Sequence, residues 1–125
     1  MSDAAKRAVA WEGWRWMAGM RTTDGWRLAL LQSDGKWLAV NERTSSASAR
    51  VDVAGALPDL DDAATLGCLL HLVREAWGEP GLAAVVEDRH GLLWEVRWRC
   101  DWPDALNVVE HSEAEALVAA LEAAP

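Results

Sequence analysis

The sequence predicts an α+β fold, an antiparallel sheet of about five strands with two helices packed on one face. Three observations predict it. Two hairpin signatures flank a helical stripe of apolar residues, an S-x-x-E capping box opens a second stripe near the end of the chain, and the 125 residues have an ordinary globular composition, 51% hydrophobic and 26% charged. A chain of this size and composition is expected to form one domain over residues 1–125, able to build its core without metal or disulfide. Within it, residues 1–10 read as a flexible N-terminus and residues 43–50 as a mobile loop.

The segment WEGWRWMAGMRTTDGW, residues 11–26, places four tryptophans in sixteen positions of a chain with no tyrosine or phenylalanine. Trp14 and Trp16 fall on one face of an extended run that Gly19 ends, and TTDG, residues 22–25, signals a turn. WRLALLQ, SDGK and WLAVNE then form the clearest hairpin, joined by an Asp-Gly turn. Trp26, Leu28 and Leu30 share one face of its first strand, while Leu38 and Val40 oppose Trp37 and Ala39 in the second. Apolar groups on both faces leave one face for a helix and the other for a second layer or a partner. Together these runs predict a three-stranded meander over about residues 11–42.

RTSSASAR, residues 43–50, has no periodicity and reads as a loop. After an extended stretch comes the main helix, at about residues 60–77, with Leu66, Leu69, Leu70, Val73 and Trp77 on one stripe. Asp59, Asp61 and Asp62 supply the N-cap and first-turn charge, and Gly78 and Pro80 end the helix. The second hairpin runs from LAAVVED through Arg89, His90 and Gly91 into LLWEVRWRC, residues 92–100. WPDAL interrupts it, NVVE adds a short strand, and Ser112 with Glu115 caps a last helix whose buried stripe is Ala114, Leu117, Val118 and Leu121.

No catalytic set emerges. His71 has no second histidine at i+4, His90 lies in a turn, and His111 precedes a cap, while the Walker, G-x-S-x-G and G-x-G-x-x-G signatures are absent. The Asp59, Asp61, Asp62 group lacks the calcium-loop spacing, and helix capping accounts for it. No catalytic residue, metal ligand or cofactor is therefore assigned. Cys68 and Cys100 show no pairable framework and read as free thiols of a reducing cytosol. The N-terminal MSDAAKRAVA has no apolar stretch of signal-sequence length and no window reaches membrane-spanning length, so a soluble cytoplasmic protein is expected.

Charge is unevenly spread. Residues 1–50 hold five acids and eight bases, net +3, and residues 51–125 hold fifteen acids and four bases, net −11. Such an excess repels phosphate backbones and favours a basic partner or simple solubility. Nine tryptophans exceed what a small domain can bury completely, so most fill the core and a few remain partly exposed. Trp11, Trp37 and Trp102 are the expected fringe. With Arg97 and Arg99, and with the acidic Glu113 and Glu115, they form the expected partner-binding set, since Trp and Arg are enriched among interface hot spots.

Two segments, WRWMAGM at residues 14–20 and PDLDDAATLGCLLHLVREAW at residues 58–77, resemble small uncharacterised accessory proteins carried by tailed bacteriophages and prophages. The resemblance covers about a quarter of the chain and brings no site residues. It implies a setting in which small acidic proteins act on host machinery, including CRISPR and other defences. The functional expectation is a non-enzymatic protein that occupies a basic surface on a host protein, without direct nucleic-acid or membrane contact. The alternatives are a nucleotide or small-ligand binder that uses Trp and Arg stacking, and an assembly component, for which a homodimer is the first expectation by symmetry.

Overall fold

The structure, a computed structural model, describes residues 3–44, 48–87, 93–98, 108–110 and 112–125. The chain is α+β; among the described residues it has three helices and two antiparallel sheets of three strands each rather than one sheet of five. It divides into two compact units, residues 15–68 and residues 1–14 with 69–125.

In the unit of residues 15–68, β1 (Trp26–Leu31), β2 (Trp37–Asn41) and β3 (Ala49–Val51) lie in the order β1-β2-β3. The Asp34-Gly35 turn joins β1 to β2, with Gly35 at φ 85°, a conformation that costs glycine little. The third strand is not the tryptophan segment 14–17, which the alternation predicted, but the end of the stretch expected to be a mobile loop. β3 pairs with β2, and the outer edge of β1 is taken at the backbone by residues 19–22. There Leu28 N–H donates to Met20 O (2.9 Å), Gly19 N–H to Leu28 O (2.8 Å) and Thr22 N–H to Trp26 O (2.9 Å). Both flanks of the β1–β2 hairpin are thus taken, by β3 and by residues 19–22. Asn41 ends β2, its Oδ1 accepting from the N–H groups of Arg43 and Thr44.

Helix α2 spans Ala63–Trp77, and its first six residues belong to this unit. Asp62 stands before it and caps it, Oδ2 accepting from Thr65 N–H (3.0 Å) and from the Thr65 hydroxyl (2.8 Å). Of the predicted stripe, Leu69 and Val73 are fully buried, joined by Leu72. Leu66, Leu70 and Trp77 are half-buried.

In the other unit, residues expected to be a flexible N-terminus form helix α1 (Ala4–Ala10), with Ala4 and Ala8 buried. Strands β4 (Leu82–Glu87), β5 (Leu93–Trp98) and β6 (Val108–Glu110) pair in that order, giving the two arms expected of the second hairpin and the short NVVE strand, while the expected Arg89-His90-Gly91 turn lies outside the described residues. Helix α3 (Glu113–Glu122) contacts all three strands and α1. Its buried face is Ala116, Leu117, Val118, Ala120 and Leu121, with Ala114 only half-buried. Ser112 caps it as predicted, Oγ accepting from Glu115 N–H at 3.1 Å. The Trp77 indole N–H donates to Ala120 O at 2.8 Å, which satisfies a half-buried donor, and Arg74 Nε donates to Leu82 O at 2.8 Å. Among the described residues, no helix is long and apolar enough to cross a membrane.

Candidate interaction surface

The most exposed large apolar side chains among the described residues are Leu30 (58%), Leu31 (55%) and Val40 (41%), all in the β1–β2 hairpin. Leu30 owes its placement to one irregularity. Leu28 pairs with Ala39 and Leu30 with Leu38, so β1 advances two residues while β2 advances one, and Ala29 is a β-bulge. Strand side chains alternate, so one inserted residue sends all that follow to the opposite face. Leu28 therefore shares the buried face with Ala39, and Leu30 joins Leu38 on the other face, which Val40 and Arg27 also share. The expected common face of Trp26, Leu28 and Leu30 is thereby split.

A charge network borders this face at one end. Arg27 holds Asp62 through both ends of its guanidinium, Nη1 to Oδ2 at 2.6 Å and Nη2 to Oδ1 at 2.9 Å, and Nη2 reaches Glu42 Oε1 at 2.9 Å. Arg21 donates through Nε to Asp59 Oδ2 at 2.9 Å and through Nη1 to Glu42 Oε1 at 3.2 Å. Arg21 N–H also donates to the buried Thr65 hydroxyl at 2.9 Å. Thus the residues before β1, β1 itself, the end of β2 and the cap of α2 are tied together by charge-assisted bonds. The Arg27 hydrogen bonds hold the Asp62 carboxyl well below the ordinary carboxylate range, outweighing its desolvation. The same pairing raises Arg27. Glu42 is also lowered, by its hydrogen bonds from Arg27 and then Arg21. At the opposite end of the face, Arg50 pairs with Asp34, whose Oδ1 accepts from Lys36 N–H.

The residues singled out from the sequence fare unequally. Trp37 is only 7% exposed, which corrects its assignment to the exposed fringe. It sits on the central strand between Leu31 and Val51, on the buried face with Ala39. Trp11 is half-buried just after α1, its N–H bonding back to Ala8 O. Glu113 and Glu115 share the first turn of α3, half-buried, where negative charge suits the helix dipole. Arg97 lies on β5 opposite Ala83, with its side chain outside the described part, and Arg99 and Trp102 lie outside the described residues. Trp37 belongs to a different unit from Trp11, Glu113 and Glu115.

Two features of the first unit have little or no local sequence signature. The adjacent leucines 30 and 31 cannot both follow the face of Leu28, and that break in alternation was the available signal for the bulge. The Arg21 and Arg27 network had none, because its partners are up to 44 positions away. Cys68 is free and half-buried; its Sγ lies 3.7 Å from Ala18 O, and burial raises the thiol pKa.

Comparison of the chain with protein-family models, with curated proteins and with solved structures finds no match.

Proposed function

We propose that this chain is a non-enzymatic binding protein that occupies a basic surface on a partner protein. The observation that supports it is the segregation of charge between the two units. Residues 15–68 hold seven acids and six bases, net −1, whereas residues 1–14 with 69–125 hold thirteen acids and six bases, net −7. A field of that sign steers a basic surface toward the second unit and repels phosphate backbones. Among the described residues, Glu110, Glu113 and Glu115, at the end of β6 and the first turn of α3, are half-exposed carboxylates close together in sequence. In the setting that the phage resemblance implies, the partner is a cytoplasmic host protein, and a defence inhibitor that covers a nucleic-acid-binding surface is the specific form. The nucleotide-stacking alternative draws little from the described residues, since Trp37 is buried and Arg27 is committed to Asp62 and Glu42.

The test is capture from host lysate by the tagged protein at low and moderate salt, followed by association kinetics with the captured protein. The on-rate is expected to fall about tenfold between roughly 0.05 M and roughly 0.5 M salt, and Glu113→Lys with Glu115→Lys is expected to lower it further. A salt-independent on-rate, or capture indifferent to the charge reversal, contradicts the proposal.

A further inference from the structure

We propose that α1 is an autoinhibitory clasp: it lends Arg7 to a carboxylate of the acidic unit that a basic partner would otherwise take, and it leaves α3 when such a partner binds. The clasp rests on the reading of the acidic unit as the partner's docking side and adds the contact that regulates it.

Three features of α1 make it displaceable. It has seven residues, fewer than a helix needs to persist alone. Asp3 at its N-terminal boundary makes no side-chain capping bond, and no acid stands in its first turn. Its buried side chains are Ala4 and Ala8, whereas α3 buries Leu117, Val118 and Leu121. Methyl groups withdraw little apolar surface from water, so lifting α1 returns little to it.

An ion pair joins α1 to α3. Arg7 Nε donates to both Glu122 carboxylate oxygens at 3.2 Å, and Nη2 donates to Oε1. These bonds hold the Glu122 carboxyl below its ordinary value and Arg7 above its own. The two side chains nevertheless stay 36% and 42% exposed, so salt screens the pair and a competing guanidinium can exchange with Arg7. Glu110, at the end of β6, adds its attraction to Arg7, which places α1 in the negative field that draws the partner. A partner that binds in full only when α1 is open has its affinity reduced by the open fraction.

Hydrogen exchange and peptide titration test the clasp. In the native protein, the amides of Ala8, Val9 and Ala10 are expected to exchange at least about tenfold faster than those of Leu117, Val118 and Leu121. An oligoarginine peptide is expected to speed the α1 amides further. Arg7→Gln and Lys6→Gln each remove one positive charge from α1, and Lys6 is exposed, so the first frees Glu122 and the second is its charge-matched control. By calorimetric titration, Arg7→Gln is expected to bind the peptide about threefold more tightly than Lys6→Gln. Equal affinities of the two variants overturn the clasp while leaving the acidic unit as the docking side. So do α1 amides as protected as those of α3, or slowed by the peptide. A peptide that binds neither the wild type nor either variant overturns both.

Discussion

Residues 15–68 add to a small core of Met20, Leu28, Trp37 and Ala39 a network of two arginines bridging three carboxylates, whereas residues 1–14 and 69–125 pack their sheet with a helix that buries five aliphatic side chains. The first unit is nearly neutral and leaves leucine and valine exposed; the second is strongly acidic and keeps the buried face of α3 apolar. The difference shows that exposure of apolar groups need not follow from a lack of ordering contacts. In the first unit, charge-assisted bonds tie the residues before β1 to the end of β2 and the cap of α2, while the Ala29 bulge turns Leu30 outward.

Substitutions that remove each unit's own kind of support sharpen the contrast. The largest loss is expected for Leu117→Ala on α3, fully buried, at about 2–5 kcal/mol from transfer and cavity effects. Urea denaturation measures it, and a loss below about 1 kcal/mol would mean that the α3 face is not the core of its unit.

Asp62→Ala follows, at about 2–3 kcal/mol, because it removes a helix cap and leaves the part-buried Arg27 guanidinium without its bidentate partner. The same residue gives the first unit a pH signature. The folded carboxyl titrates below its ordinary value, so its contribution is fully present above about pH 4 and is lost as pH falls toward the folded value. The denaturation midpoint of the wild type is expected to fall more steeply than that of Asp62→Asn between about pH 5 and about pH 2. Parallel pH curves would contradict the pairing.

Ser112→Ala is expected to cost about 1 kcal/mol by uncapping α3. The smallest effect is Arg7→Ala, which breaks the exposed pair with Glu122 between α1 and α3 and is expected to cost less than about 1 kcal/mol, falling with salt. A loss for Arg7→Ala larger than that for Asp62→Ala would reverse the contrast between the units.

Much of this architecture was legible locally. The Asp34-Gly35 turn, the end of α2 at Gly78 and the Ser112 cap each depend on residues within a few positions of one another, and each appears where the sequence put it. Helix α1 was not legible, since a seven-residue helix is marginal alone and its buried contacts are two alanines, Ala4 and Ala8, beside an ion pair reaching to Glu122. The alternation at Trp14 and Trp16 promised a strand beside the first hairpin, but the flanks of that hairpin went to β3 and residues 19–22. Trp37 was assigned to the fringe by residue type, and its central-strand position decided otherwise. The exposed stripe was half legible: both faces of the hairpin were expected to be apolar, but which side Leu30 takes depends on the Ala29 bulge.

That bulge can be tested directly by the broadening of methyl resonances with a soluble paramagnetic agent in dilute protein. Leu30 and Val40 methyls are expected to broaden strongly and Leu28 methyls hardly at all, since Leu28 is 1% exposed and Leu30 58%. Leu30 protected to the same degree as Leu28 would return both to one face and contradict the account.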